Sequence, residues 1–200
     1  MPRIIALTGG IGAGKSTVAH ILRAWGYLVF DCDSRAKKIM DEDDNIKQRI
    51  AAEIADEVIV DGRINRSLLS EIVFADSEKL RRLNTIVHRA VRENMRRWAA
   101  SVIDRDIVFV ESAILYSSGL YAEVDGELRV IAPDETRIAR VIRRNGLTRN
   151  HIEARIASQQ PDENPATPLA DVHLIINDDR HPVLPQLAAY LTAWKNRIFP

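Results

Sequence analysis

Short apolar runs alternate with helical periods at the start of the chain. The run RIIALT at residues 3–8 is stopped by glycine, which predicts a buried strand. Apolar residues then recur at helical spacing from Lys15 to Trp25, and Gly26 is a natural end for that helix. A second apolar run, YLVF at residues 27–30, predicts another buried strand. This strand–helix–strand order favours a parallel sheet with a right-handed crossover.

Helical periodicity dominates the middle of the chain. Apolar residues recur every three or four positions over residues 80–98, which predicts one long amphipathic helix. Shorter helical patterns cover residues 36–54 and 68–74, with an Asp-Gly turn signal between them. We therefore expect an inserted helical lobe at about 34–104.

Strand and helix patterns alternate again in the second half of the chain. Further strands are predicted by apolar runs at residues 107–110, 128–132 and 172–176. Further helices are predicted at residues 133–144, 148–160 and about 182–197, and a proline-rich loop at 161–168. The predicted fold class is α/β, with a roughly five-stranded parallel sheet flanked by helices.

Composition excludes several classes of protein. The formal net charge of +0 argues against a protein that works by wrapping nucleic acid. No apolar run approaches the ~18 residues of a membrane span, and the chain passes from MPR directly into an apolar strand, so we expect no secretory signal. The single cysteine, Cys32, cannot form an intrachain disulfide. We expect a cytoplasmic, reducing setting.

A glycine-rich stretch with a defined spacing follows the first predicted strand. Residues 9–17, GGIGAGKST, satisfy the P-loop pattern GxxxxGK[ST] and lie between a strand and an amphipathic helix, the context that phosphate binding requires. Glycines allow backbone N–H groups to curl around phosphate oxygens, so we expect Gly12, Ala13 and Gly14 to hold them. The spacing GxGxxG is absent, which argues against a nicotinamide enzyme.

The side chains that end this stretch suit a nucleotide with a metal ion. Lys15 would reach the β- and γ-phosphates, and Thr17 would donate to the α-phosphate. The Ser16 hydroxyl would ligate Mg²⁺. The sequence therefore predicts a site for a nucleoside triphosphate such as ATP.

Two aspartates follow the second predicted strand. Asp31 and Asp33 lie at its carboxyl end, where ligands bind in doubly wound sheets. A phosphoryl-transfer enzyme needs a carboxylate that orients the acceptor hydroxyl and takes its proton. We expect at most one of the two to be the base, and either could instead cap a helix or contact Mg²⁺-bound water. Position alone leaves both open and favours Asp33.

Arginines are concentrated between residues 137 and 155. On a helix from Asp134, Arg137, Arg140 and Arg144 share one face. Such dense like charge repels itself unless an anion or an acid neutralises it, and we expect ATP phosphates to do so; the alternative is a solvated face. We expect Arg140 and Arg144 to contact phosphate or adenine, and Arg155 to clamp the transferring phosphoryl group.

These motifs together resemble the dephospho-CoA kinase family of small P-loop kinases, over nearly the whole chain. The resemblance is carried by residues 9–17, Asp31-x-Asp33, Gly62-x-Ile64-Asn65-Arg66, Leu83-Asn84-x-Ile86-Val87-His88, Arg140-x-x-x-Arg144, Leu147-Thr148, Arg155-Ile156, Gln159, Ala170-Asp171 and Ile176-Asn177-Asp178. It implies that ATP phosphorylates the ribose 3′-hydroxyl of dephospho-CoA, with Mg²⁺, in the last step of coenzyme A synthesis. It also implies a P-loop kinase core at 1–33, 105–147 and 161–200, an acceptor lobe at about 34–104 and a lid at about 148–160.

The resemblance also assigns roles to single residues. It implies that Asp33 is the general base and that Asn177 belongs to the tail that holds the adenine. It implies acceptor contacts for Arg66 and His88, which would otherwise be a surface charge and a partly buried helical residue. With the P-loop and lid residues, it gives a catalytic set of Asp33, Lys15 and Arg140, while Arg155 joins the substrate contacts.

Two segments depart from the family pattern, both on the acceptor side. Arg89 follows His88 where the family has proline. The family's P-L-L-x-E segment reads AILYS at residues 113–117, which lacks the proline and the glutamate, and Glu111 is the nearby acid.

Other functions compete with this interpretation. Another small P-loop kinase would act on a nucleotide, a sugar or a shikimate-like acid. A GTPase-like switch would need [NT]-K-x-D and D-x-x-G motifs, which are absent, and the basic long helix lacks the interleaved aromatics of a nucleic-acid platform. We expect ATP and dephospho-CoA as partners, neither nucleic acid nor membrane, and a monomer, with an oligomer left open.

Overall fold

In the computed structural model, which describes residues 1–198 and the side chains of residues 1–194, a five-stranded sheet forms the core. Its strands are β1 (Arg3–Thr8), β2 (Val29–Asp31), β5 (Ile107–Glu111), β6 (Gly126–Ile131) and β7 (Val172–Ile176). Their order is β2-β5-β1-β6-β7; β1 pairs in parallel with β5 and β6, and β6 with β7. A separate antiparallel hairpin joins β3 (Ile59–Val60) to β4 (Arg63–Ile64). The predicted α/β class and five-stranded parallel sheet are confirmed.

Helices occupy most of the remaining described chain. They are α1 (Lys15–Ala24), α2 (Cys32–Glu42), α3 (Asp44–Glu53), α4 (Arg66–Ala75), α5 (Ser77–Ser101), α6 (Asp134–Asn145), α7 (Arg149–Ser158), α8 (Gln160–Glu163) and α9 (Val183–Ile198). Within residues 1–198, none of them combines the length and the hydropathy that a bilayer crossing needs.

The chain divides into two compact units, each with its own apolar interior. The first unit comprises Met1–Phe30 and Ile103–Pro200, and its core is fully buried at Ile5, Phe109 and Leu128 of the central strands. The second unit is Asp31–Val102, in which α2, α3 and α4 pack against α5. Burial of this apolar surface is what offsets the entropy of ordering each unit.

Polar caps determine where helices of the second unit begin. The helical pattern predicted over residues 36–54 is divided at Asp43, whose carboxylate accepts hydrogen bonds from the N–H groups of Asn45 and Ile46 at 3.0 and 3.3 Å. Asp43 has an extended backbone, so α2 ends there and α3 begins. Asp76 starts the long helix α5 in the same way.

The proline-rich stretch predicted as a loop at 161–168 is partly helical, so that prediction is wrong for its first residues. Pro161 lies in the first turn of α8, where its missing N–H costs no hydrogen bond. Helix α8 therefore follows α7 with Gln159 between them. This short helix and the residue before it bring Gln159, Asp162 and Glu163 toward the candidate site described below.

Candidate active site

The phosphate loop, residues 9–17, connects β1 to α1 in the first unit. Gly14 is the N-cap of α1 with φ 105°, a left-handed conformation that favours glycine. A Cβ on Gly14 would also lie 2.1 Å from Nδ2 of Asn177, so this position has no room for a side chain. The N-terminus of α1 thus presents backbone N–H groups and a partial positive charge that suit a phosphate.

Lys15 and Ser16 place a cation and a hydroxyl beside this helix end. Nζ of Lys15 donates to the carbonyl oxygens of Gly9 at 2.7 Å and Gly10 at 3.3 Å, so the lysine curls over the loop. Ser16 is exposed, and its Oγ donates to Oε1 of Glu111 at 3.3 Å. Thr17 is also exposed in the same turn.

Glu111 is a residue that sequence reasoning noted without giving it a role. It ends β5, which neighbours β1 in the sheet, and its other oxygen lies 3.9 Å from Nη2 of Arg23. Hydroxyl and carboxylate oxygens are both suitable ligands for Mg²⁺. This ion commonly takes only one or two protein ligands and completes its coordination shell with phosphates and water. Among the described residues there is no group of three or more His, Cys, Asp or Glu that could hold a metal ion.

Arg140 and Asn177 meet at the phosphate loop from two different elements. The Arg140 guanidinium contacts Gly12 O at 3.4 Å and Asn177 Oδ1 at 3.3 Å, and pairs with Asp179 at 2.6 Å. Nδ2 of Asn177 donates to Ala13 O at 2.8 Å. The structure therefore brings Lys15, Ser16, Thr17, Arg140 and Asn177, all predicted from the sequence, to one loop.

Arg137 is buried, and the protein's own acids neutralise it. Its guanidinium makes a bidentate pair with Glu163 at 2.7 and 3.0 Å, and contacts Asp134 at 3.1 Å. Its Nε donates to the carbonyl oxygen of Ile11 in the phosphate loop at 2.9 Å. The expectation that ATP phosphates neutralise the whole arginine face is thus corrected for Arg137, which instead contacts the phosphate loop through Ile11 O.

Helices α6 and α7 pack together through a small apolar cluster. Its buried members are Ile138, Val141, Ile152 and Ile156. Ile142 of α6 lies outside this cluster and is 42% exposed. Arg144 on α6 donates to Asn145 Oδ1 at 2.6 Å, and Arg155 on α7 is exposed. Arg140, Arg144 and Arg155 were predicted to contact ATP. Of these three, Arg140 is the one that the structure brings to the phosphate loop.

The two candidate bases differ in their surroundings. Asp31 is the N-cap of α2: its carboxylate accepts hydrogen bonds from the backbone N–H of Ser34 at 3.0 Å and from its hydroxyl at 2.7 Å. Asp33 lies two positions further along, as the second residue of the helix, and is exposed. The capping role that the sequence left open thus belongs to Asp31, which leaves Asp33 accessible.

The second unit also carries the two predicted acceptor contacts. Arg66 begins α4, and its Nη2 donates to both carboxylate oxygens of Asp41 at 2.9 and 2.8 Å and to Lys37 O at 3.0 Å. His88 is half-buried on α5. The structure therefore holds Arg66 against α2 within this unit.

The fold and the site together define the class of P-loop kinases. The sheet is parallel, with a phosphate loop after its first strand. A lysine and a hydroxyl lie on the helix that follows, and an arginine is held at the loop. A family model for dephospho-CoA kinase matches residues 3–181. The chain belongs to the dephospho-CoA kinase family.

Individual relatives agree with this assignment. A dephospho-CoA kinase from Bacteroides fragilis is 38% identical over 183 residues, which cover 92% of this chain and 88% of the relative. One from Thermus thermophilus is 39% identical over 162 residues, covering 81% and 77%. A solved crystal structure, also from Thermus thermophilus, is similar with a TM-score of 0.79 at 34% identity and covers 100% of this chain and 99% of that one.

Proposed function

We propose that this chain transfers the γ-phosphoryl group of ATP to the ribose 3′-hydroxyl of dephospho-CoA, the last step of coenzyme A synthesis. The observation that carries the proposal is the phosphate loop, with Lys15 and Ser16 at the start of α1, in a chain that belongs to this family. The competing small-metabolite kinases share the loop but not the family.

On the ATP side, each residue has a physical task. Backbone N–H groups of Gly12, Ala13 and Gly14 bind phosphate oxygens, and Lys15 neutralises the charge that develops between the β- and γ-phosphates. Ser16, whose Oγ donates to Glu111, would hold Mg²⁺. The bound ion would neutralise charge on the phosphates. Thr17 donates to the α-phosphate, while Arg140, Arg144 and Asn177 contact phosphate or adenine.

On the acceptor side, Asp33 orients the 3′-hydroxyl and accepts its proton as the hydroxyl attacks phosphorus. Its exposure at the start of α2, beside the occupied carboxylate of Asp31, supports this assignment. The lobe at about 34–104 binds the acceptor, with Arg66 and His88 contacting its phosphates. A lid at about 148–160 carries Arg155 to the transferring group and excludes water.

The setting follows from the same proposal. Both substrates are small molecules that a cytoplasmic enzyme meets in solution, and we infer a cytoplasmic monomer that needs no nucleic acid or membrane partner.

An acceptor panel tests the proposed function. The purified chain is given ATP and Mg²⁺ with dephospho-CoA, a nucleoside monophosphate, gluconate or shikimate, and ADP and phosphorylated product are measured. We expect turnover with dephospho-CoA, and a loss of about 10²–10³-fold or more in Lys15→Ala, because one preorganised charge at the phosphates is removed. Turnover of another acceptor with none of dephospho-CoA would overturn the proposal.

A further inference from the structure

The loop after β5, residues 112–118, leaves the sheet at the edge where ligands bind. Its first residue, Ser112, donates its N–H to Leu7 O at 3.0 Å, so the loop begins beside the end of β1 and directly after Glu111. Carboxyl ends of parallel strands form the ligand edge of such sheets. This is also the segment in which the chain lacks the acid of the family pattern, since Ser117 stands at that position.

A buried carboxylate from α8 holds this loop. Oδ1 of Asp162 accepts hydrogen bonds from the backbone N–H groups of Tyr116 at 2.6 Å and Ser117 at 3.0 Å, and Oδ2 accepts one from the Ser117 hydroxyl at 2.6 Å. Asp162 is only 5% exposed. A buried carboxylate is costly unless donors satisfy it, and three charge-assisted hydrogen bonds to two adjacent residues make a strong attachment.

The same short stretch grips the phosphate loop. We call residues 159–163 the α8 segment. Gln159 Oε1 accepts the N–H of Ile11 at 2.7 Å, while Glu163 holds the Arg137 guanidinium that donates to the carbonyl oxygen of Ile11. Gly10 makes room for this pair, because a Cβ there would lie 1.9 Å from Arg137 Nη2 and 2.1 Å from Glu163 Oε1.

A second connection closes the network through β6. The Tyr116 hydroxyl donates to Glu127 Oε2 at 2.5 Å, and the Glu127 carboxylate pairs with Arg129. Arg129 in turn donates to the backbone carbonyl oxygen of Glu163. Glu127 is 1% exposed, so this path too lies in the interior of the first unit. The loop after β5 and the α8 segment are therefore joined twice.

We propose that Asp162 is a positioning residue for the phosphoryl transfer: through the α8 segment it couples the loop after β5 to the phosphate loop. This inference rests on the proposed function. The α8 segment continues directly from α7, the helix expected to move as a lid, so a movement of α7 reaches both loops at once. The loop is thus attached to Asp162 at Ser117, the position where the family pattern has its acid.

Three variants test the coupling by kinetics. Asp162→Asn keeps the size of the side chain but turns an amide toward donors, and Ser117→Ala removes one of the three bonds. Asp125→Asn is the matched control, since it removes an exposed acid that pairs with Arg3 at the start of β1. We expect Asp162→Asn to lower kcat/KM for dephospho-CoA by about 10–100-fold, as for a misplacement on the order of 1 Å. Asp125→Asn should stay within about twofold.

The double variant separates positioning from mere stability. With Asp162→Asn present, Ser117→Ala should cause almost no further loss of kcat/KM, because the hydroxyl acts through that carboxylate. Should Asp162→Asn fail to fold, Ser117→Ala alone still lowers kcat/KM several-fold if the inference holds. A folded Asp162→Asn variant with wild-type kcat/KM, or fully additive losses in the double variant, would overturn it.

Hydrogen exchange keeps this test distinct from the test of the function. In ligand-free protein, Asp162→Asn should speed exchange in residues 112–118 and also at residues 10–12, whereas Asp125→Asn should change neither. Wild-type protein that fails to phosphorylate dephospho-CoA would refute the proposed function, and the coupling would still be decided by exchange. Faster exchange confined to residues 112–118 would refute the coupling instead.

Discussion

Asp31 and Asp33 are chemically identical and have one residue between them, but their surroundings in the first turn of α2 differ. The carboxylate of Asp31 is occupied by the backbone and hydroxyl of Ser34, so it fixes the start of α2. Asp33 faces solvent from the first turn of the same helix. A general base needs an accessible carboxylate, which favours Asp33.

Replacing each aspartate by asparagine separates the two tasks. Asp33→Asn should lower turnover by roughly 10²–10⁴-fold, the usual contribution of a general base, while ATP binding is retained. Asp31→Asn should lose far less turnover, because asparagine is an equally good N-cap. Steady-state kinetics and ATP titration measure both effects. Near-normal turnover in Asp33→Asn would contradict the assignment. It would mean either that Asp31 is the base or that Asp33 acts only by positioning the acceptor.

The arginines of α6 show how far residue spacing predicts a site. The three- and four-residue offsets correctly place Arg137 and Arg140 on one side, but the sequence does not say which anion each will meet. Arg137 meets Glu163, an acid from a stretch predicted as loop, and is buried with it. Such a partner lies 26 positions away along the chain, so no local pattern reveals it. The acids at 162 and 163, next to Pro161, were the available signal, since a proline there is compatible with a helix start.

At the scale of elements, the loop after β5 depends on its attachment to β6. Tyr116 donates to Glu127, accepts the N–H of Leu169 at 3.2 Å and stacks on Tyr121 with ring centroids 5.4 Å apart. Burial, and then the hydrogen bond to Glu127, raise the pKa of Tyr116 above its ordinary value. The neutral phenol is therefore preferred in the folded protein.

Tyr116→Phe should change how the free energy of unfolding depends on pH in the alkaline range. Because the folded pKa is raised, Tyr116 contributes stability that is complete below its unfolded pKa of about 10 and is lost as pH rises through the folded pKa. Wild type should lose stability more steeply above about pH 10 than the variant, which lacks the ionising hydroxyl. Urea unfolding between about pH 8 and 11 measures this. Parallel curves for the two proteins would contradict it.

Elements with strong periodicity were predictable, and their ends were less so. The pattern over residues 80–98 became α5, and the apolar run at 172–176 became β7. The division of residues 36–54 depends on one aspartate whose side chain competes with the helical hydrogen bonds, a choice that apolar spacing does not record. Helix α8 was missed because its proline was interpreted as loop composition.

At the scale of the whole molecule, the predicted site residues fall in two compact units. The first unit carries the phosphate loop, Arg140 and Asn177; the second carries Asp33, Arg66 and His88. The long run of helical patterns between strands predicts an inserted lobe at about 34–104.

This division predicts which part of the chain each ligand stabilises. A non-hydrolysable ATP analogue at 100 times its Kd stabilises the folded state by about 2.7 kcal/mol, which for a chain of this size corresponds to a rise in Tm of roughly 5–11 °C. Hydrogen exchange should slow at residues 9–17 and in the α8 segment, and not in the β3–β4 hairpin. Dephospho-CoA should instead slow exchange in the helices of Asp31–Val102. Lys15→Ala is the control: it should lose most of the shift with the ATP analogue and keep the response to dephospho-CoA, since the lysine bears on the donor phosphates alone. If the ATP analogue protected only the second unit, the donor site would have to be reassigned.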